Sequence, residues 1–506
     1  MDGTLFRSAR TRAGRSNVVL NLAVLMWGVA PSFASEPPTQ PAPHPSALVF
    51  ASKPYQPPTA KRVELTGGAV LHLAPDPSLP LVELAVALRA GSFLEPPGAV
   101  GLTELGTALL RRGGAGDLTA EELDEQIDLL GAELDTVGGE RRSGLRLSVP
   151  SWELEPALDL VFDVLARPRL AEDRLEVLRT NVAESMSRRN QDPLDVLLRE
   201  WGWLLFGDFY ASRQITSASL EHVTREAIGE YHRAWWRPEN LVFAVSGDFD
   251  PDSIVARLER RLVAWPDGGE VMSIPWPPPR PGKGAAPGLY LALSETPQTK
   301  ILIGHRVDTD LGWTARERVV VEVLQEVLGG GGAISRLGGR LRTSTGLVYR
   351  TWAHLEPGPE PPGYLRVFLE TDPPKAARAI ELAVEEIERL RTDLVHPREL
   401  EVVRRTLLDR IPSSFDTPEK IAGQYSENEL LGRPTNYWER RIETLGQVTR
   451  EEIRDAARKY LRTADLIYLV VAPDFGEEGL ASLERAAGHS TNLLPARDPS
   501  TLEPLP

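Results

Sequence analysis

Histidine and cysteine, the side chains that most often carry metal or nucleophilic chemistry, are thinly spread in this sequence. It contains eight histidines and no cysteine. His222 and His232 are ten residues apart, and no two histidines have the one-turn spacing with which a helix presents two metal ligands. The absence of cysteine excludes thiolate sites, disulfides and a lipid-modified cysteine. Spacing alone therefore predicts no metal site.

Other motifs of catalytic chemistry are also missing. We find no phosphate-binding loop, dinucleotide fingerprint or nucleophile elbow. The four glycines Gly329–Gly332 follow a predicted helix and precede no lysine, which favours a hinge or a close backbone approach over phosphate binding. Asp248 and Asp250 follow a predicted strand, but carboxylates in turns ordinarily cap and solvate the backbone.

Size and charge limit the classes of protein that this chain can be. At 506 residues it is long enough for several packed units. A content of 42% hydrophobic and 25% charged residues is typical of a globular protein, and the formal charge of −15 argues against general binding to nucleic acid or anionic lipid.

The amino-terminal segment has the pattern of a secretory signal. Arginines from Arg7 to Arg15 precede an apolar run, Val18–Ala30, and the small residues Ser32 and Ala34 follow it. The run is too short to span a bilayer comfortably. We predict a signal peptide over residues 1–34 that is cleaved on export to the periplasm or the cell exterior, and no stable membrane anchor.

An internal repeat indicates that the chain contains two related halves. Val223–Glu226 and Val448–Glu451 both read Val-Thr-Arg-Glu, and Leu175–Val177 and Leu400–Val402 both read Leu-Glu-Val, each pair at an offset of 225 residues. Two matches at one offset are hard to produce by chance, so we predict a duplicated domain.

Local patterns within each half mix strands with helices. Residues 82, 84, 86 and 88 alternate as a half-buried strand should, and Thr119–Leu130 has helical spacing. We predict an α+β fold of tandem domains, each a mostly antiparallel sheet covered by helices on one side. The predicted boundaries are the signal peptide 1–34, a Pro-rich linker 35–60, a first domain 61–264, a Pro/Gly linker 265–288, a second domain 289–475 and a loose tail 476–506.

Several short motifs, in order along both halves, resemble the insulinase/pitrilysin family of zinc peptidases. They are Arg89–Ser92 with Gly101-Leu102, Leu129–Leu134, Trp236–Asn240 with Ser246–Phe249, and Ser335–Leu337 with Leu341 to Tyr349. The resemblance runs from about Val63 to Pro473 and is greatest to the two-domain bacterial and mitochondrial-processing-peptidase branch. It implies the duplicated α+β fold and a role in peptide degradation.

The zinc motif of that family is missing here. Its active members carry H-x-x-E-H on the helix after this glycine, where two histidines bind zinc and the glutamate activates water. The matching positions are Glu104, Thr107 and Ala108, and Glu184 lies near the position of the third ligand. The resemblance therefore implies a degenerate site, no zinc bound by this chain and no hydrolysis by it alone.

The second half retains a different part of the family signature. Arg342 and Tyr349 match an arginine and a tyrosine that, in the two-subunit branch, approach the active site of the partner. The resemblance thus implies a non-catalytic, substrate-binding subunit that supplies these residues in trans to a partner with H-x-x-E-H and zinc. Its substrate would be a peptide.

Two other readings remain open. The chain could be an inactive peptide-binding or structural scaffold of the same fold, which needs no catalytic partner. It could also be a peptidase with an unrecognised site, for example around Asp248 and Asp250.

Overall fold

The described part of the chain forms two β-sheets with helices on both of their faces. This computed structural model describes residues 55–266, 274–275, 280–309, 311–358 and 362–505. The first sheet contains β1 (Lys61–Glu64), β2 (Val70–Pro75), β3 (Leu81–Leu88), β4 (Glu133–Gly138), β5 (Ser143–Pro150) and β6 (Val242–Gly247). The second contains β7 (Gly288–Leu293), β8 (Thr299–Val307), β9 (Val348–Glu356), β10 (Gly363–Thr371), β11 (Ile467–Ala472) and β12 (Thr491–Leu493).

The helices follow the same division along the chain. Those of the first half are α1 (Leu102–Arg112), α2 (Ala120–Leu129), α3 (Leu154–Ala166), α4 (Glu172–Arg188), α5 (Pro193–Phe206), α6 (Ser217–Glu221), α7 (Arg225–Trp235) and α8 (Pro251–Val263). Those of the second half are α9 (Arg316–Gln325), α10 (Ala376–Thr392), α11 (Pro397–Arg410), α12 (Pro418–Leu430), α13 (Tyr437–Gln447), α14 (Arg450–Tyr460) and α15 (Gly476–Ala487).

Five strands of each sheet share one topology, whereas the outermost strands β1 and β12 differ, because β1 is antiparallel to β2 and β12 is parallel to β7. Their strand orders are β1-β2-β6-β3-β5-β4 and β12-β7-β11-β8-β10-β9, with antiparallel neighbours except at β2–β6, β7–β11 and β7–β12. The helices α5, α7 and α8 begin 225 residues before α12, α14 and α15. The predicted α+β class, with duplicated and mostly antiparallel sheets, is confirmed.

Each half lends one helix to the sheet of the other half. Helix α12 packs on β2, β3 and β6, where the small side chains Ala74, Ala85 and Ala244 leave room for it. Helix α5 packs on β8 and β11 of the second sheet. The sequence predicts helices on one side of each sheet; the structure has them on both, because each inner sheet face is apolar and is buried by the opposite half.

Helix α12 is held on the first sheet by charge as well as by packing. Arg62 donates from Nε and Nη2 to the Glu429 carboxylate at 3.0 and 2.9 Å, and Nε2 of the buried His72 lies 2.9 Å from Oε2 of Glu429. The hydrogen bonds from His72 and Arg62 lower the pKa of Glu429 to about 2. The contact therefore favours the ionised carboxylate across the junction of the halves.

The carboxyl-terminal segment is more ordered than the sequence analysis predicts. Residues 476–506 are expected as a loose tail, but α15 buries Leu483 and Ala487, and β12 pairs with β7. This prediction is wrong because α15 repeats α8 in the duplicated domain, and its apolar side chains recur at helical spacing. Beyond β12, Arg497 pairs with the buried Glu200 at 3.2 Å.

Several predicted segments lie outside the described residues. These are the signal peptide 1–34, the linker 35–60 before Tyr55, and parts of the linker 265–288. Where that second linker is described, the backbone N–H of Ala285 donates to the Leu204 carbonyl at 2.7 Å. The predicted boundary between the halves falls between α8 and β7.

The Glu429 contact predicts a pH-dependent loss of stability. Because the pKa of Glu429 is depressed in the folded state, its contribution is complete above the unfolded-state pKa of roughly 4.3 and is lost as the pH falls toward 2. We expect Glu429→Gln to lower the free energy of unfolding by about 2 kcal/mol at pH 7, and by less at pH 3. Urea denaturation at both pH values measures this.

Glu419→Gln is the matched control, because Glu419 lies on the same helix but forms an exposed pair with Arg146 at 3.1 Å. We expect this substitution to lower the free energy of unfolding by at most about 1 kcal/mol. A loss of stability that is equal for Glu429→Gln and Glu419→Gln at pH 7 would contradict the account of this junction.

Candidate functional site

Helix α1 carries the positions of the missing zinc motif, and its amino terminus is firmly positioned. Gly101 precedes it with a φ of 103° and lies where a Cβ would come within 2.8 Å of Ile215. Glu95 accepts hydrogen bonds from the backbone N–H groups of Gly101 and Thr103 at 3.2 and 2.6 Å. Only glycine suits this backbone and space, so the start of the helix is specified by local sequence.

The three motif positions on α1 face different surroundings. Glu104 opens into a cavity, and Ala108 is half-buried one turn further on. Thr107 is buried against β4, where a Cβ on Gly138 would come within 2.9 Å of its Oγ1. Thr107 Oγ1 has no hydrogen-bond partner within the described residues.

Glu184, predicted near the third ligand position, does not join these residues. It is exposed on α4 and pairs with Arg188 at 2.6 Å. The side of α4 that lines the same cavity as Glu104 carries Asn181 and Ser185 instead. Glu184 directs its carboxylate to Arg188 on the solvent side of α4 and does not line the cavity.

The residues present do not fit a zinc ion. The methyl group of Ala108 and the hydroxyl of Thr107, which faces Gly138, supply neither an imidazole ligand nor a general base. Glu104 alone cannot replace three ligands. Across the described part of the chain, no group of three or more His, Cys, Asp or Glu side chains could hold a metal.

The cavity beside α1 measures about 790 Å³ and is walled by α1, α4 and α5. Burial raises the pKa of Glu104, and the same cause raises the pKa of Glu140 at the turn between β4 and β5. Burial also raises the pKa of Glu95, against the opposing effect of its hydrogen bonds from Thr103 and Gly101. No sequence pattern indicates this cavity, because its walls come from three separate helices.

Arg342 and Tyr349 lie at one corner of the second half. Arg342 is exposed on a wide helical turn, Gly338–Ser344, with i→i+5 hydrogen bonds. The backbone N–H of Leu347 donates to the Leu341 carbonyl at 2.9 Å, which ties this turn to the start of β9. Within the described residues, no side-chain partner of Arg342 is found.

Tyr349 is the second residue of β9, an outer strand of the second sheet, and its side chain is 50% exposed. Its hydroxyl donates to Oδ1 of Asp372 at 2.7 Å, and this hydrogen bond raises the pKa of Tyr349. The phenol is therefore protonated at neutral pH and able to donate a hydrogen bond.

The remaining candidates of the sequence analysis have structural roles. Asp248 accepts a hydrogen bond from Ser151 Oγ at 3.0 Å, and Asp250 caps α8 by accepting from the Ser253 N–H at 2.7 Å. In the glycine run, a Cβ on Gly329 would come within 2.4 Å of the Ala353 nitrogen. That glycine permits a close approach to β9.

Comparisons with known proteins agree with this architecture. Residues 222–407 match the family model described as the peptidase M16 inactive domain. An uncharacterized zinc protease of Mycobacterium leprae is 27% identical over 348 residues, 68% of this chain and 76% of that protein. An uncharacterized zinc protease of Bacillus subtilis is 22% identical over 82% of this chain and 98% of its own length.

Two solved structures share the fold. The peptidase M16 inactive domain from Pseudomonas fluorescens has a TM-score of 0.73 at 20% identity, covering 82% of this chain and 98% of its own. The periplasmic protease PqqL from Escherichia coli has a TM-score of 0.71 at 15% identity, covering 84% of this chain and 47% of its own. The resemblance predicted from the sequence is confirmed.

The geometry of α1 and α4 predicts how zinc binding could be restored. We expect Glu104→His with Ala108→His to bind zinc weakly, and the addition of Asn181→Glu to strengthen binding roughly tenfold or more, because Asn181 faces the cavity. Adding Glu184→Gln to the two histidine substitutions instead should leave the zinc affinity unchanged. Zinc titration calorimetry measures both, and a loss of binding with Glu184→Gln would show that the assignment of faces on α4 is wrong.

Proposed function

We propose that this chain is a peptidase-like protein of the M16 family and serves as the non-catalytic, substrate-binding subunit of a heterodimeric zinc endopeptidase that degrades peptides. Its partner is an M16 chain with an intact H-x-x-E-H motif. The zinc of that partner supplies the activated water. This chain supplies a peptide-binding surface together with Arg342 and Tyr349.

The contrast between the two halves carries this proposal. The helix that would hold zinc has Glu104, Thr107 and Ala108 in place of ligands and base. On the second half, Arg342 and Tyr349 are both exposed at one corner next to an outer strand. Exposure leaves both side chains within reach of another molecule.

The chemistry of the two side chains suits a role in trans. The guanidinium of Arg342 presents a fork of donors to a peptide carbonyl or carboxylate. The phenol of Tyr349 donates its single O–H to Asp372 in the free chain. On substrate binding it would donate that O–H instead to the oxyanion that forms when water attacks the peptide carbonyl.

A scaffold without any catalytic partner is the second candidate. Asp248 accepts a hydrogen bond in a turn, and Asp250 caps a helix. These structural roles favour a non-catalytic subunit or a scaffold over a peptidase with an unrecognised site. The exposed corner at Arg342 and Tyr349 favours the heterodimer over the scaffold.

Hydrolysis of a fluorogenic peptide by the mature chain, by the partner and by their mixture tests the proposal. We expect activity from the mixture only. Arg342→Ala or Tyr349→Phe in this chain should lower the rate by about 100-fold, in the range lost when one oxyanion donor is removed. Arg350→Ala is the matched control, because Arg350 is exposed beside Tyr349 but lies over the Phe368 ring.

Three outcomes would contradict the proposal. One is zinc-dependent hydrolysis by this chain alone. Another is full activity of the partner without this chain. The third is an equal loss of rate with Arg350→Ala and Arg342→Ala.

Export of the chain is part of the proposal. The support is the amino-terminal pattern of the sequence, with arginines, an apolar run and Ala34. Among the described residues, no helix is both long and apolar enough to cross a membrane. We expect the mature protein in the periplasmic or secreted fraction to begin at Ser35, as measured by amino-terminal sequencing, whereas an intact Met1 in the cytosol would argue against export.

A further inference from the structure

The carboxyl-terminal segment beyond β12 crosses from the second half of the chain to helices of the first half. Where it leaves the second sheet, the backbone N–H of Leu494 donates to the Leu291 carbonyl at 2.8 Å. The segment then folds back on itself, and the backbone N–H of Leu505 donates to the Ala496 carbonyl at 2.7 Å. We call residues 494–505 the strap.

Arg497 fixes the strap to α5 and to the end of α4. Its Nε donates to Oε1 of Glu200 at 3.2 Å, and its guanidinium lies over the Trp203 ring at 4.3 Å. Its backbone carbonyl accepts from Nδ2 of Asn190, just after α4, at 2.7 Å. One arginine of the strap therefore contacts two elements of the first half.

A second contact of the strap holds the start of α6. The backbone N–H of Ser217, the first residue of that helix, donates to the Ser500 carbonyl at 2.9 Å. The first N–H groups of a helix have no acceptor within the helix. The strap therefore supplies an acceptor that water would supply if the strap were absent.

Both contacts of the strap adjoin the wall of the 790 Å³ cavity. Arg189, Arg199 and Ile215 line that cavity, and each is one or two residues away from a residue that the strap contacts. Arg189 also donates from Nη1 to the Ile215 carbonyl at 2.9 Å. The docked strap thus fixes the end of α4, the helix α5 and the segment before α6 relative to one another.

The anchoring of the strap allows it to leave without leaving a buried charge unpaired. The buried Glu200 also pairs with the buried Arg199 at 3.2 Å, and Arg199 donates from Nη1 to Oδ1 of Asn190 at 2.7 Å. Glu200 therefore keeps a cationic partner when Arg497 departs. Within residues 494–505 only Leu502 is buried. A segment with so little buried surface opens at a low cost in free energy.

We propose that the strap is a detachable gate of the 790 Å³ cavity. When the strap is docked, it holds the walls formed by α4, α5 and the segment before α6 in place. When it detaches, these walls separate and the buried side of the cavity becomes accessible from solvent. The inference does not rest on the proposed function, because it concerns only contacts within this chain.

Thiol modification tests the strap, because the chain contains no cysteine and a single introduced cysteine is a unique reporter. Met186 of α4 lines the cavity and is 3% exposed, so the thiol of Met186→Cys should react slowly with a maleimide in the full chain. We expect the reaction to be roughly five- to tenfold faster when Arg497→Ala is added, because the ion pair and the stacking on Trp203 are then lost. A chain that ends at Leu493 should react at least as fast.

Two controls separate opening of the cavity from a general loss of stability. Arg485→Ala is the matched variant, because Arg485 is an exposed arginine of α15 that donates to Ser482 of its own helix at 2.8 Å. It should leave the rate at Met186→Cys unchanged. Val403→Cys is the second reporter, because Val403 is buried in α11 of the second half. Its rate should not change with Arg497→Ala.

Hydrogen exchange measured by mass spectrometry checks the same opening without a reporter cysteine. The amide of Ser217 should exchange faster in the shortened chain and in Arg497→Ala than in the full chain. Equal maleimide rates with and without Arg497→Ala, an equal increase at Val403→Cys, or unchanged exchange at Ser217 in the shortened chain would overturn the proposal. Fast modification of Met186→Cys in the otherwise unaltered chain would also overturn it, because the strap would then not close the cavity.

Discussion

The mutual exchange of one helix between the halves is the constraint on which the rest of this structure depends. Helix α12 covers the alanine-lined face of the first sheet, and α5 covers the apolar face formed by residues such as Leu302 and Leu469. Without its borrowed helix, each sheet would expose a large apolar face to water. The two halves therefore bury each other, and the cavities lie beside the exchanged helices.

The exchanged helix α5 contributes to a cavity as well as to the junction of the halves. The 790 Å³ cavity is walled partly by α5, the helix that packs on the opposite sheet. A smaller cavity of about 270 Å³ lies between that helix and β10 of the second half. A change in the docking of α5 would alter both cavities together, so the cavities and the junction of the halves are physically coupled.

The sequence alone predicts much of the fold and less of the sites. The repeat of Val-Thr-Arg-Glu at residues 223 and 448 predicts the duplicated arrangement, and the same offset applied to α8 would have predicted α15. The partners of α5 and α12 could not be predicted, because an apolar helix face does not specify which sheet it covers. Glu184 was assigned by its distance along the chain, whereas the face of α4 decides which side chains reach α1.

The position of the corner at Arg342 and Tyr349 in the assembled enzyme is the central claim of this account. Replacing Tyr349 by the photoreactive residue p-benzoylphenylalanine, illuminating the complex with the zinc-bearing partner, and mapping the products by mass spectrometry tests it most directly. The account predicts cross-links to the partner's H-x-x-E-H helix or to a bound peptide. Cross-links confined to this chain, or to a surface of the partner remote from its zinc helix, would contradict it.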